Sequence, residues 1–211
     1  MMKIWSIGIA LLITIQASGQ EYPDSVFRNE VDKYYKGGIG AWERYTTQKS
    51  KIKEENLEDT RKRGTVVLGF TLMSNGEIDN VEFLNHVSED VDEDAFQLLK
   101  KSADQWKPKL VDNKPVSVWI EVSFHYLPFT RADLKPMKEK IPELYQNKKY
   151  DEIHHILDAV IRNQPYDADA IYGRGIIYHE QGKTIDACMT WQRAAHIGHI
   201  ESDEFHKKHC K

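Results

Sequence analysis

The chain has 211 residues, of which 40% are apolar and 10% aromatic, values that suit a globular protein of one or two small domains. Its 29 Lys and Arg stand against 33 Asp and Glu, for a net charge of −4. That balance excludes the basic footprint of a nucleic-acid binder and the polybasic patch of a membrane-surface protein.

At the N-terminus Lys3 precedes the apolar run Ile4–Ile15, and Ala17-Ser18-Gly19 follow as small residues. This order reads as a secretory signal peptide over residues 1–19. The run is shorter than the roughly 20 residues that span a bilayer. An uncleaved anchor, holding the chain at the inner membrane and facing the periplasm, is the other reading. No cysteine stands near the cleavage site, which argues against a lipoprotein. A cleaved chain begins near Gln20 and is exported to the periplasm.

Residues 20–36 form a polar lead-in, and Gly37-Gly38-Ile39-Gly40 punctuates the chain. Ala41 to Lys53 reads as a helix with Trp42 and Tyr45 one turn apart, and Glu54 to Arg63 as a charged, solvated stretch. Val66, Leu68, Phe70 and Leu72 alternate as one face of a strand over Gly64–Met73. Ser74-Asn75-Gly76 suits a tight hairpin, and Glu77 to Leu84 reads as the second strand. Val91, Ala95, Leu98, Leu99 and Trp106 make a helical stripe, with Ser88 placed to cap its start and Pro108 to stop it. From Val116 to Tyr126 the alternation is unbroken. Val116, Val118, Ile120, Val122, Phe124 and Tyr126 take one face, and Ser117, Trp119, Glu121, Ser123 and His125 the other, which is solvated or turned to a partner. Strands covered by one helix give a two-layer α+β domain.

Everything after Pro136 reads as helix. Gly175, Tyr178, Gly182, Ala187, Trp191 and Ala194 follow one another at spacings of 3, 4, 5, 4 and 3. This resembles the tetratricopeptide repeat. Stepping back by one repeat, Leu144, Leu157 and Val160 answer Tyr178, Trp191 and Ala194, and Pro165 stands where such a repeat closes. The first copy is degenerate, with Lys148 in place of the turn glycine and Ile153 at a usually small position. Two repeats with a capping helix from Ser202 to Cys210 fill residues 134–211, and such repeats imply a concave, peptide-holding surface. Tyr172 and Tyr178 are candidates to face a partner, with core packing the competing role for Tyr178.

The earlier block resembles the TonB C-terminal domain family. The matching residues are Gly64-Thr65-Val66-Val67-Leu68-Gly69-Phe70, Asn75-Gly76-Glu77-Ile78, Asp92 to Ala95, Trp106-Lys107-Pro108, Asn113-Lys114-Pro115-Val116 and the last strand to Phe124. With the Gly37–Tyr45 lead-in the domain spans residues 37–128. The resemblance implies a periplasmic domain that binds outer-membrane receptors, a receptor segment adding as a strand beside its last strand. Carried over, the partner-binding residues are Val116, Ser117, Val118, Trp119, Ile120, Glu121, Val122, Ser123 and Phe124. Trp119, Glu121 and Ser123 would project from the less apolar side, and packing against the helix or the repeats is the competing role for Trp119. The same sheet edge offers a homodimer contact. The chain departs from a full transducer in lacking a convincing anchor and a proline-rich spacer, its 7 prolines being scattered. This puts force transmission in doubt.

Cys188 and Cys210 are the two cysteines. An even count in an exported chain favours one disulfide, with two free thiols as the alternative. The helical part also resembles a repeat variant of exported proteins in Bacteroidetes-like bacteria, where the two Cys positions occur together; this resemblance supports the disulfide. His196, His199, His206 and His209 stand at ligand-like spacings, but Gly198 interrupts the first pair and no partner completes a set, so they read as exposed helix-end residues. Asp90, Asp92, Glu93 and Asp94 read as a solvated helix start. No phosphate loop, nucleophile elbow or zinc-binding helix is present, so neither an enzyme nor a metal or other cofactor is expected. The expectation is a protein- or peptide-binding module of the periplasm, serving TonB-dependent transport across the outer membrane. The alternatives are an envelope assembly scaffold that binds through its repeats and an anchored energy transducer.

Overall fold

The structure is a computed structural model that describes residues 30–210. The signal-peptide reading of residues 1–19 and most of the lead-in lie outside the described residues. The chain divides into two compact units. One runs to Phe129 and includes Arg162–Pro165; the other holds Thr130–Ile161 and the chain from Tyr166 onward.

The first unit is mixed α and β. After a helical segment at residues 30–34, Gly37 and Gly38 take positive φ (86° and 68°). That left-handed pair, which side chains disfavour, turns the chain into α1 (Gly38–Lys49). Asp32 fixes the entry, its Oδ1 accepting from the Ile39 N–H at 2.8 Å. The helix begins earlier than its sequence pattern suggests because Gly37 and Asp32, rather than Ala41, set its start. Short 3₁₀ turns at Glu54–Leu57 and Thr60–Lys62 lead to β1 (Gly64–Leu72) and β2 (Ile78–Asn85). These pair antiparallel with irregular register, and Asn80 in β2 has a φ of 48°, as a bulged strand allows.

Next come α2 (Glu89–Lys101), β3 (Lys109–Val111), β4 (Lys114–Val116) and β5 (Val118–Tyr126). The main sheet has the order β2-β1-β5, and β3 with β4 forms a separate two-stranded hairpin. The long strand expected from Val116 is therefore interrupted. Val116 pairs with Lys109, whereas Val118 pairs with Leu72. The break falls at Ser117, which has no ladder partner and whose hydroxyl accepts from the Ser74 N–H at 3.2 Å.

Helix α2 lays Val91, Ala95, Leu98 and Leu99 on the sheet. It stops at Ser102, well before Pro108, because the Ser102 hydroxyl donates to the Leu99 carbonyl at 2.7 Å and accepts from Trp106 Nε1 at 2.9 Å. Trp106, beyond the helix, joins Tyr35, Trp42, Phe70 and Phe124 in an edge-to-face aromatic cluster with ring centroids 5.0–5.5 Å apart. Such contacts add to the burial of the rings themselves.

The acidic start of α2 is only partly solvated. Ser88 occupies the N-cap without a capping hydrogen bond. Asp92 reaches back instead, accepting from the Val87 N–H at 2.9 Å. Asp94 is buried and accepts from Ser50 Oγ at 2.7 Å, the Lys51 N–H at 2.9 Å and the Tyr126 hydroxyl at 3.0 Å. Burial, and then the Asp94 carboxylate, push the Tyr126 phenol far above its usual range, so it remains a neutral donor. Asp94→Ala is expected to cost about 3 kcal/mol in urea denaturation and Tyr126→Phe about 1 kcal/mol, since the first strands three donors and the second removes one. A double-mutant cycle should show the two losses to be non-additive.

The second unit is helical: α3 (Arg131–Lys138), α4 (Ile141–Gln146), α5 (Tyr150–Asn163, its last two residues counted with the first unit), α6 (Ala168–Glu180), α7 (Thr184–His196) and α8 (Ile200–His209). Thr130 and Asp133 form a reciprocal capping box at the start of α3. Gly182, at φ 74°, turns the chain between α6 and α7. Gly175 lets the two helices close up: a Cβ there would lie 2.4 Å from Trp191 Nε1. Ala187, Trp191 and Ala194 are fully buried, whereas Tyr178 is half-buried and Gly182 exposed.

Cys188 and Cys210 are joined by a disulfide, which ties α7 to the residue after α8. The bond links positions 22 apart in sequence, so by loop entropy Cys210→Ser should cost the helical unit about 3 kcal/mol. Thermal melts with and without a reductant check this: reduction should lower the midpoint of the parent chain and leave the variant unchanged.

Candidate functional site

Strand β5 is an outer strand of its sheet. Nine residue pairs from Gly64↔Tyr126 to Leu72↔Val118 join it to β1, and among the described residues no strand flanks its other side. An edge of this kind carries a row of main-chain donors and acceptors that another strand can pair with.

The nine candidate residues fall into different roles. Val116 belongs to the β3–β4 hairpin, and Ser117 to the break. Ile120, Val122 and Phe124 are buried in the core, so only their main chain can meet a partner; Val118 is half-buried. Glu121 is buried at 3% exposure and does not project as its alternation suggests. Ser123 is half-buried, and its carbonyl accepts from Trp42 Nε1 at 3.4 Å, so α1 already occupies this point of the strand. Pro115 has no N–H to offer before the break. Short of the point where Trp42 meets Ser123, the candidate edge is the stretch between Ser117 and Val122.

Trp119 is the one large side chain of that stretch open to solvent, at 40% exposure. Its ring lies against the β1 backbone at Gly69, where a built Cβ would come 2.2 Å from Trp119 Cζ2. Glycine in a strand interior often marks this close approach. Gly69 was legible only as part of an apolar strand, because its partner stands across the sheet. The indole has strand backbone on one face and an open side that a partner residue can cover.

The helical unit contains an arrangement that sequence reasoning missed. His199 is buried, its Nδ1 lies 3.1 Å from both the N–H and the hydroxyl of Ser202, and its Nε2 lies 3.4 Å from Asp169 Oδ1. The set of Asp, His and Ser invites comparison with a nucleophilic triad. However, Ser202 is fully buried, and the imidazole takes the Ser202 backbone N–H as the N-cap of α8. Accepting that N–H requires an unprotonated Nδ1, which leaves the ring proton on Nε2, facing Asp169. His199 is therefore a capping residue and not the exposed helix-end histidine its spacing suggests. His196 is exposed, and His206 and His209 are half-buried. Burial lowers the basicity of His209, and the facing His179 adds to this. Tyr172, a candidate partner contact, is buried and stacks on His199 at 4.4 Å, while Tyr178 is half-exposed. Among the described residues no group of three or more His, Cys, Asp or Glu is placed to hold a metal.

Residues 55–127 match the family model for the C-terminal domain of the Gram-negative bacterial TonB protein. The matched stretch runs from the first 3₁₀ turn through β1, β2, α2, the hairpin and β5. This TonB-like segment contains the whole candidate edge, while the helical unit lies outside it. No curated protein and no solved structure matches the chain. No helix among the described residues is long and apolar enough to cross a membrane.

Gly69→Ala is expected to displace the Trp119 indole and to cost about 1–3 kcal/mol through overpacking. The Trp119 indole N–H signal should move in an NMR spectrum while those of Trp42, Trp106 and Trp191 hold their positions.

Proposed function

We propose that the chain is an exported, periplasmic, non-enzymatic protein-binding module related to TonB, which takes up a segment of an envelope protein as an added strand along β5. The observation that carries this reading is that β5 is the open edge of the sheet within the TonB-like segment. Main-chain hydrogen bonds from the stretch between Ser117 and Val122 supply the pairing, and Trp119 supplies side-chain contact. An outer-membrane receptor segment is the proposed partner and TonB-dependent transport the proposed setting. A homodimer through the same edge would compete with that partner.

A second reading gives the binding role to the helices, as tetratricopeptide-like repeats of an envelope scaffold. It is favoured by Ile185 and Met189, one turn apart on α7 and largely exposed.

Ser117→Pro separates the two. Ser117 has no ladder partner, so proline there breaks no strand pairing of the sheet; it removes the hydroxyl that accepts from the Ser74 N–H and blocks main-chain pairing at the start of the edge. Pull-down from envelope extracts should lose the partner with Ser117→Pro and keep it with Ile185→Glu combined with Met189→Glu. A loss of affinity of about tenfold or more is expected, corresponding to about 1.4 kcal/mol. The reverse pattern would assign binding to the helices, and mass spectrometry of the native protein would show whether the chain begins near Gln20 or keeps an N-terminal anchor.

A further inference from the structure

The β3–β4 hairpin has no evident task in strand pairing along β5. It is built on Lys109↔Val116, Leu110↔Pro115 and Val111↔Lys114, and Asp112 and Asn113 turn it with φ of 50° and 60°. Two residues at positive φ form the tight turn that matches the twist of paired strands. Every residue from 109 to 115 is exposed, so neither face of the hairpin is covered. Leu110 is 62% exposed and Val111 46%. A two-stranded hairpin standing alone is marginal in water, and one that presents large apolar side chains gains by being covered.

Its charge indicates what covers it. Lys107, Lys109 and Lys114 are all exposed. The one acid of the hairpin is Asp112, so this part is positive in a chain whose net charge is −4. Lys109, Val111, Lys114 and Val116 share one face, and Leu110 with Pro115 forms the other. Cations interleaved with apolar anchors complement a segment that carries carboxylates beside apolar residues. A bilayer is a poorer occupant, because Asp112 stands at the tip that would enter first and residues 109–116 hold no aromatic anchor.

We propose that the β3–β4 hairpin is a docking arm for an acidic, apolar-bearing segment of a partner protein. Val111 anchors the segment, and Lys109 and Lys114 on the same face meet its carboxylates. The arm acts independently of strand pairing on β5.

The test titrates the full chain with a short synthetic peptide alternating Glu and Leu, its counterpart alternating Lys and Leu, and phosphatidylglycerol vesicles. The acidic peptide should bind, shift the amide signals of Lys109, Leu110, Val111 and Lys114, and weaken as salt is raised. The pair Lys109→Glu and Lys114→Glu should cut its affinity about tenfold, as two reversed surface charges would, and should favour the basic peptide instead. The milder pair Lys109→Ala and Lys114→Ala gives a smaller loss in the same direction, and Ser117→Pro leaves binding unchanged. Equal binding of both peptides, indifference to the charge reversal, or binding of vesicles in place of peptide would overturn the proposal. So would an absence of binding, which would make the lysines and Pro115 guards against edge aggregation.

Discussion

The first unit depends on one aromatic contact set. Trp42 from α1, Trp106 from the segment after α2, Phe70 from β1 and Phe124 from β5 meet edge to face, with Tyr35 closing the group. Four parts of the chain that are distant in sequence thus share one buried cluster. The same Trp42 that packs on Phe124 also donates to the carbonyl of Ser123. The packing of the core and the extent of the open edge are consequently set by one side chain. A change that loosens Trp42 would alter how much of β5 a partner can reach, without touching the partner.

Strand alternation and the Asn75-Gly76 turn carried much of the mixed α and β segment, because a period of two is written in consecutive residues. The break at Ser117 was not legible, since alternation runs through it without a fault. There the Ser74 N–H, far away in sequence, donates to the Ser117 hydroxyl. Ser102 ended α2 for a similar reason: its hydroxyl is held by Trp106. The buried state of Asp94 depends on Ser50, Lys51 and Tyr126 converging on one carboxylate. Local charge counts cannot report such convergence.

The candidate site divides along the same line. The long alternating strand could be read from the sequence, and its role as the partner edge followed from the resemblance to the TonB C-terminal domain. Which of its residues remain open could not. The sequence shows neither Gly69 beneath Trp119 nor the indole of Trp42 at Ser123, and both decide what a partner meets. His199 makes the same point in the helical unit: its spacing from His196 drew attention to metal chemistry, while its actual neighbours, Ser202 and Asp169, make it a helix cap. The disulfide was expected from an even cysteine count in an exported chain and from the resemblance to a repeat variant, and the structure contains it.

The pairing of β1 with β5 joins Leu72 to Val118 and Gly64 to Tyr126. When the chain emerges from its N-terminal end, β1 and β2 are complete long before β5 exists. During that interval β1, the most apolar strand, has a neighbour on one side only. Long-range pairing of this kind is slow relative to hairpin closure, and an open apolar strand recruits other chains. Folding therefore has a vulnerable period that ends when Val118–Tyr126 docks. The finished protein is left with a shorter edge, held at one end by the indole of Trp42 and at the other by a proline.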